Sequence, residues 1–209
     1  MIKEESVKIH IIRHTESEAN VKHILAGQLD YSLSEKGKKD AQAIALWYSS
    51  LFNPLFIYCS PLLRAQQTAL PFSHSSHLSI TTDERLIEHN LGIFQGRTYE
   101  EAERDIKYEK DRLNRWEWNI PNGESYKDIA KRLTSFFEDL DPHGPDILIV
   151  THAVAMRVMR GLIEHTLPIY PEHIAKNGEI WQFDFIKIGL PHHIQSIFIN
   201  DLSYKEHRA

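Results

Sequence analysis

Two arginines and two histidines occupy positions from which they could bind and transfer a phosphoryl group. Arg13 and His14 stand directly after an apolar run, and Arg64 follows a second run closely. His152 ends a third run. Guanidinium groups offer fork-shaped donors to a compact dianion, a neutral histidine can attack phosphorus, and another histidine can donate to an oxygen. Because phosphoryl transfer depends mainly on positioning and charge stabilisation, these side chains predict such a site.

A carboxylic acid completes the set, because a leaving alcohol needs a proton. Glu88 is the candidate, since it lies between apolar anchors in a glycine-containing segment, R-L-I-E-H-N-L-G-I-F-Q-G. To act as a general acid it must keep its proton in part of the population, which calls for a desolvated or anion-facing position. The arrangement requires no metal and no cofactor.

Other interpretations of these residues compete. Arg13 could pair with Glu16 on the surface and leave His14 incidental, since the chain has thirteen histidines; the grouping at strand ends favours a functional site. Cys59 followed by Arg64 invites comparison with cysteine phosphatases. Only four residues separate the two, too few for that loop, and its glycines are absent. Cys59 is therefore predicted to be a small buried apolar residue.

Metal-ligand patterns are scarce. A single cysteine excludes a cysteine-based zinc cluster and an intramolecular disulfide. His192 and His193 are adjacent, but without further spaced ligands a solvated turn is favoured over a metal site. We therefore expect no metal.

The reactive residues are predicted to lie at the carboxyl ends of buried strands, where open α/β sheets form their ligand crevices. β-branched and apolar residues favour strands at 7–12, 55–59 and 147–150, with further strands at 78–82, 180–185 and 194–199. Apolar periodicity and capping residues predict helices over residues 18–24, 35–51, the segment after Pro61, a polar stretch from 98 towards 118, 126–140 and 153–163. This alternation predicts an α/β three-layer sandwich with a mixed, mostly parallel central sheet flanked by helices.

Composition sets broad limits. The 209 residues, 42% hydrophobic and 25% charged, predict a single domain over residues 1–209. The net charge of -5 argues against a nucleic-acid protein with a broad basic face. The chain shows no apolar stretch of membrane-spanning length and no signal-peptide pattern at its start, so we expect a cytoplasmic protein.

Several short motifs occur in a fixed order. They are R-H-T-E-S-E-A-N at 13–20, a Gly27, Asp30, Leu33, Ser34, Gly37 pattern, S-P-L-L-R-A-Q-Q-T-A at 60–69, L-I-E at 86–88 ahead of Gly96, G-E-S at 123–125 and T-H-A at 151–153. Together they resemble the histidine phosphatase superfamily, which includes phosphoglycerate mutase-like and histidine acid phosphatase relatives. The resemblance spans most of the chain and implies a phosphoglycerate mutase-like fold.

The resemblance implies roles for individual residues. His14 would be the phosphorylated nucleophile, Arg13 and Arg64 would clamp the phosphate, His152 would be the second histidine and Glu88 the general acid. On the substrate side of the pocket it places Asn20, Ser17, Gly27 and Thr15. The chain departs from the pattern at Thr15 and Ala153, which replace glycines that usually follow each histidine. The pocket would then be slightly narrower, or the backbone accepts a Cβ there without harm.

Residues 97–122 combine many charges with aromatic residues. Basic and acidic side chains alternate closely, so their charges cancel and a solvated helix is favoured over a nucleic-acid surface. The superfamily uses the corresponding insertion to contact the leaving group. We therefore interpret residues 97–122 as a cap insertion and predict that Trp116 and Trp118 lie on the substrate side.

The predicted function is metal-independent hydrolysis of a small phosphomonoester through a phosphohistidine. The alternatives are a phosphoglycerate-type phosphomutase and a catalytically silent module that binds a phospholigand or a protein. Related mutases carry an arginine and a tyrosine shortly after the acid, whereas Glu88 is followed by H-N-L-G, which favours hydrolysis. The expected partner is a small phosphorylated metabolite, without nucleic acid or membrane; a homodimer is compatible with this interpretation.

Overall fold

One mixed sheet of six strands forms the centre of the protein, which a computed structural model describes over residues 6–197. Its strands are β1 Val7–Arg13, β2 Phe56–Cys59, β3 Ile80–Thr82, β4 Ile147–Thr151, β5 Ile180–Phe185 and β6 Gln195–Ile197. They lie in the order β3-β2-β4-β1-β5-β6. The pairs β3/β2, β2/β4 and β4/β1 are parallel, while β1/β5 and β5/β6 are antiparallel. The predicted mixed, mostly parallel sheet is confirmed.

Helices cover both faces of this sheet. They are α1 Glu18–Val21, α2 Glu35–Ser49, α3 Leu63–Ser76, α4 Tyr99–Glu103, α5 Tyr126–Glu138 and α6 Ala153–Ile163. One core cluster joins α5 and α6 to one face of the sheet, and a second joins α2 and α3 to the other. The three-layer α/β sandwich predicted from the sequence is therefore present.

Strand β1 contributes to both cores because successive side chains point to opposite faces of a sheet. Ile9 and Ile11 belong to the α5/α6 core, and Ile12 belongs to the α2/α3 core. His10 lies on the α2/α3 side, where its ring contacts Tyr48. β1 thus pairs on both edges and packs on both faces, which holds its carboxyl end rigidly.

The predicted N-caps of three helices are confirmed. The side chains of Ser34, Thr98 and Ser125 each accept a backbone N–H at the start of a helix. The caps at Thr98 and Ser125 are complete capping boxes, closed by Glu101 and Asp128. Such caps stabilise a helix by about 1 kcal/mol each.

The prediction of a polar helix from 98 towards 118 is wrong. Only α4 is helical at its start, and a 3₁₀ segment, Arg112–Trp116, follows after a run of turns. Asp105, Glu109 and Asp111 each accept the backbone N–H two residues ahead. Acidic side chains that bond locally in this way compete with the helical hydrogen bonds, and no apolar stripe opposes them.

Smaller differences concern element ends. The first predicted helix stops at Val21, the second ends at Ser49, and the third strand begins only at Ile80. The last predicted strand starts at Gln195, and its residues 198–199 lie outside the described part of the chain.

His192 also differs from expectation. It is buried, and its ring accepts the N–H of Ile186 while lying against the carbonyl of Ile163. It is therefore a packed structural histidine and not part of a solvated turn.

The segment 97–122 contributes to a third, separate apolar cluster. Its buried members are Leu25, Phe94, Ala102, Tyr108 and Ile120, with Trp118 packed against them. This small core belongs to neither face of the sheet. In residues 6–197 we find no helix with the length and apolar character needed to cross a bilayer.

Candidate active site

His14 and His152 leave neighbouring strands side by side. Arg13, the last residue of β1, pairs in register with Thr151, the last residue of β4. The two histidines that follow are buried, and their ring centroids lie 5.2 Å apart. Parallel pairing of two strands distant in sequence thus brings both histidines together at the carboxyl ends of the central strands.

The His14 ring is held in its neutral form. Its Nδ1 lies 2.7 Å from the carbonyl oxygen of Thr15. A carbonyl can only accept, so Nδ1 carries the proton of the neutral ring and Nε2 carries a lone pair. Burial, followed by the charges of Arg64 and Arg13, holds the pKa of His14 well below its ordinary value of 6.5. His14 therefore offers an unprotonated nitrogen throughout the neutral pH range.

Two buried guanidinium groups flank this histidine. Arg13 donates through Nη1 to the carbonyl of Ala175 at 2.7 Å, and its buried Nε has no partner among residues 6–197. Arg64 donates through Nη1 to Leu29 at 2.9 Å and through Nη2 to Gly27 at 2.7 Å. A guanidinium has five N–H donors, so both keep donors for a ligand. Carbonyl oxygens orient each cation without neutralising it.

Glu88 caps helix α6 from a distant part of the chain. Its carboxylate accepts from the backbone N–H groups of Val154 and Ala155, each at 3.2 Å, and from that of His89 at 2.8 Å. The residue at the N-cap position, His152, supplies no side-chain cap. Glu88 takes that place and so lies beside the second histidine.

The charge balance of the site is positive. Glu88 is the acidic side chain whose charge acts most on both Arg13 and Arg64. Both histidines are held neutral, so Arg13 and Arg64 are the cations that adjoin them, although the whole chain has a net charge of -5. A few placed arginines therefore build a local anion site in an acidic protein.

The His152 ring is fixed from one side only. Its Nε2 lies 2.7 Å from Oγ of Ser60, and its buried Nδ1 has no partner in the part of the chain that the structure describes. Burial, together with the charges of Arg64 and His14, holds the pKa of His152 well below 6.5. Two buried nitrogens of the site, Nε of Arg13 and Nδ1 of His152, thus have no hydrogen-bond partner among the described residues. Both could form hydrogen bonds with the oxygens of a phosphoryl group.

Thr15 is accommodated by a bond to helix α2. Its hydroxyl donates to the carbonyl of Gly37 at 2.8 Å, and its backbone N–H donates to Thr68 at 3.1 Å. Gly37 lets the helix approach, because a Cβ there would lie 1.9 Å from the carbonyl oxygen of Glu16. Ala153 begins α6, where a helical residue tolerates a Cβ. Neither departure from glycine displaces a reacting group.

The other predicted substrate-side residues of the first loop are engaged within the protein. Ser17 and Asn20 form the capping box of α1. Gly27 adopts a φ of +52°, and a Cβ there would meet the side chain of Gln95. Its carbonyl faces Arg64, so Gly27 acts on the site by orienting the second arginine.

Both tryptophans of the segment 97–122 pack against protein. Trp116 lies against the α5/α6 core, and Trp118 lies in the third cluster, 5.8 Å from Phe94 and 6.4 Å from His89 between ring centroids. Trp118 also faces the guanidinium of Arg115 at 5.6 Å. These contacts fix the two rings within the protein, and contact of either ring with substrate stays a prediction.

Several supporting residues were missed by sequence reasoning. Asn177 donates to the carbonyl of His14 at 2.9 Å and to Oδ1 of Asn20 at 3.2 Å. Asp30 caps helix α3 by accepting from the N–H of Leu63 at 2.8 Å. The family-like motif containing Asp30 was a signal for the second; nothing local in the sequence marks Asn177.

The Glu88 loop is also fixed by an ion pair. Arg132 donates two hydrogen bonds to the carboxylate of Glu124, at 3.0 and 3.1 Å, and one to the carbonyl of Glu88 at 3.3 Å. Glu124 in turn accepts the N–H of Asn90 and, through its own carbonyl, bonds His89. This explains the G-E-S motif, because its glutamate anchors the loop that presents Glu88.

Comparison with known proteins gives a consistent family. Residues 9–187 match the family model of the histidine phosphatase superfamily, branch 1. Phosphoserine phosphatase 1 of Hydrogenobacter thermophilus is 34% identical over 73% of this chain and 74% of its own. Phosphoglycerate mutase-like protein 4 of Arabidopsis thaliana is 34% identical over 77% and 71%. A mycobacterial glucosyl-3-phosphoglycerate phosphatase structure has a TM-score of 0.71 and 26% identity, covering 91% of this chain and 97% of its own.

Proposed function

This chain belongs to branch 1 of the histidine phosphatase superfamily and is a phosphoric monoester hydrolase, and we propose that it hydrolyses a small phosphomonoester through a phosphohistidine at His14, without a metal. The observation that carries the proposal is the state of His14. Nδ1 of His14 donates its proton to the carbonyl oxygen of Thr15. The lone pair of Nε2 is therefore available beside two guanidinium groups.

In the first step His14 Nε2 attacks phosphorus. The N–P bond forms as the ester P–O bond breaks, and the proton of Glu88 passes to the leaving oxygen. The step requires that Glu88 carries a proton when the ester is bound, and the negative charge of a phosphoryl group bound by Arg13 and Arg64 favours that form. The products are an alcohol, a phosphorylated His14 and an ionised Glu88.

In the second step water attacks the phosphohistidine. Ionised Glu88 takes the water proton, the N–P bond breaks, and inorganic phosphate leaves with His14 regenerated. Arg13, Arg64 and His152 stabilise the charge on the phosphoryl oxygens in both steps. Preorganised donors of this kind are typically worth about 10²–10³ in rate each.

Hydrolysis is favoured over a mutase reaction by the residue that follows the acid. A mutase must hold a monophosphate against the phosphoenzyme and exclude water, which needs further anion contacts. His89 is buried, and its Nε2 bonds the carbonyl of Glu124 at 2.7 Å. That position is used to anchor the loop and offers no cation to a second anionic group.

We attribute substrate specificity to the segment 97–122. We assign residues 97–122 to a cap over the site within a single domain, and Trp116 and Trp118 to its substrate side. The separate apolar cluster around Phe94 and Tyr108 supports this, because a cap with its own small core can vary in shape without disturbing the sheet. The net charge of -5 supports a small metabolite over nucleic acid as the substrate.

The first test of the proposal is turnover of p-nitrophenyl phosphate with and without EDTA. We expect turnover that EDTA does not change. Loss of activity with EDTA and its return with a divalent ion would overturn the metal-free mechanism. Absence of turnover with this ester and with every compound of a phosphorylated-metabolite panel, O-phosphoserine and glucosyl-3-phosphoglycerate included, would favour the silent binding module.

A second test separates phosphatase from mutase. The enzyme is incubated with 3-phosphoglycerate, with and without 2,3-bisphosphoglycerate, and both free phosphate and 2-phosphoglycerate are followed. We expect slow phosphate release and no rapid isomerisation. Fast formation of 2-phosphoglycerate with little phosphate would establish the mutase instead.

A further inference from the structure

Ser60 forms a hydrogen bond with the ring of His152. It immediately follows β2 and is fully buried. Its Oγ lies 2.7 Å from Nε2 of His152 and accepts the backbone N–H of Leu62 at 3.3 Å. Strand β2 pairs directly with β4, so the serine and the histidine leave adjacent strands.

Counting donors decides the direction of this bond. A serine hydroxyl has one proton and two lone pairs, and Leu62 already uses a lone pair. If Nε2 carried the ring proton, the hydroxyl proton of Ser60 would lack an acceptor among the contacts of this buried site, and Nδ1 of His152 would be a bare buried lone pair. If Ser60 donates to Nε2 instead, its proton and one of its lone pairs are used, and the ring proton resides on Nδ1.

We propose that Ser60 is a positioning residue that fixes the tautomer of His152, so that Nδ1–H is presented to the phosphoryl oxygen. The tautomer of His152 is inferred from the contacts of Ser60. Its role towards a phosphoryl oxygen rests on the proposed function. Because the buried ring is neutral beside Arg64, it has a single proton. The position of that proton decides whether His152 attracts or repels a phosphoryl oxygen.

His14 and His152 then hold the same tautomer but offer opposite ends. The Nδ1 of His14 is engaged by the Thr15 carbonyl, which leaves a lone pair at Nε2. The Nε2 of His152 is engaged by the Ser60 hydroxyl, which leaves an N–H at Nδ1. One ring is thereby a nucleophile and the other a donor.

The direct experiment is ¹⁵N NMR of the imidazole nitrogens in the wild-type protein labelled with ¹⁵N-histidine, with His152 assigned by the loss of its signals in His152→Gln. We expect Nδ1 of His152 to be of the protonated type and Nε2 of the unprotonated type at neutral pH. A proton on Nε2 would overturn the proposal. This measurement requires no substrate and no Ser60 variant.

Variants connect the tautomer to turnover. Ser60→Ala is expected to mix the two tautomers and to lower kcat by about 10- to 100-fold, the range seen when an outer partner of a metal-bound histidine is removed. KM should change little. Ser60→Thr retains a hydroxyl and should restore the wild-type tautomer and most of kcat.

The matched control is Ser73→Ala, which removes a half-buried serine hydroxyl bonded to the carbonyl of Leu78. It should leave the His152 spectrum and kcat unchanged. A Ser60→Ala enzyme with wild-type tautomer and kcat would refute the positioning role. Failure of the proposed function would appear separately, as the absence of phosphatase turnover and of label on His14. The Nδ1–H tautomer of His152 could still be observed by NMR in that case.

Discussion

The rings of His14 and His152 lie 5.2 Å apart, and the protein engages a different nitrogen in each. Thr15 holds Nδ1 of the first, and Ser60 holds Nε2 of the second. Two residues of one type at equivalent strand ends are thus given different chemistry by a single hydrogen bond each.

His14→Ala should abolish turnover, because it removes the nucleophilic Nε2. In the wild type, rapid quenching with a radiolabelled substrate should trap an acid-labile, alkali-stable phosphoenzyme with the label on His14. His143→Ala, which changes an exposed histidine, is the matched control and should retain both turnover and label. Label on His152 or on a serine would remove His14 from this role.

Glu88→Gln should slow alkyl phosphates by about 10²–10⁴-fold, the contribution of a general acid, and p-nitrophenyl phosphate by much less. A good leaving group needs no proton, so the ratio of the two rates is the diagnostic quantity. Glu84→Gln, at an exposed position, should leave it unchanged. Equal losses with both substrates would reduce Glu88 to a cap of α6.

Asn177→Ala should lower kcat by between about 10- and 100-fold, because it releases the carbonyl of His14 and lets the nucleophile shift. Steady-state kinetics should show little change in KM, since Asn177 makes no charge contact with the phosphate in this mechanism. Asn53→Ala, at an exposed asparagine, serves as the comparison. A rise in KM at constant kcat would indicate substrate binding and not positioning.

The free energy of unfolding should fall on acidification below pH 6.5. Burial lowers the pKa of His10 from 6.5 to about 4, so between these values the unfolded chain binds more protons than the folded one. Stability present above pH 6.5 is therefore lost as the pH falls towards 4, by roughly 3 kcal/mol for His10 alone. His14 and His152 act in the same direction.

Urea denaturation at a series of pH values measures this effect. His10→Leu, which cannot titrate, should show a shallower loss of stability between pH 6.5 and 4 than the wild type. His143→Ala should follow the wild-type curve, because His143 is exposed. Parallel curves for wild type and His10→Leu would contradict the assignment.

The sequence predicted what depends on local pattern. A β-branched run followed at once by Arg13 and His14 marks a strand end, and the same pattern before His152 marks another. The apolar stripe of α5 likewise predicted a helix that is buried along Tyr126, Ile129 and Leu133. In these stretches a single periodicity dominates, so local sequence and fold agree.

The remainder depends on contacts between distant residues. Asn177 bonds His14 across 163 positions of sequence, and no spacing in either segment reveals that bond. The bond from Thr15 to Gly37 is equally invisible, so whether a Cβ fits there could be decided only from the structure. In the segment 97–122, the capping box correctly predicted the start of α4. It could not predict that the helix ends early, where the side chains of Asp105 and Asp111 accept local backbone N–H groups.

The strand order has a consequence for synthesis of the protein. β1 emerges early from the ribosome, yet both of its neighbours, β4 and β5, emerge late. About 130 residues separate β1 from β4, which at 5–20 residues per second is a delay of roughly 7 to 27 s. During that delay β1, with its apolar residues Ile9, Ile11 and Ile12, lacks both of the strands that pair with it in the folded protein. The two histidines meet only when β4 pairs with β1, so catalytic activity reports formation of this parallel pair at the centre of the sheet.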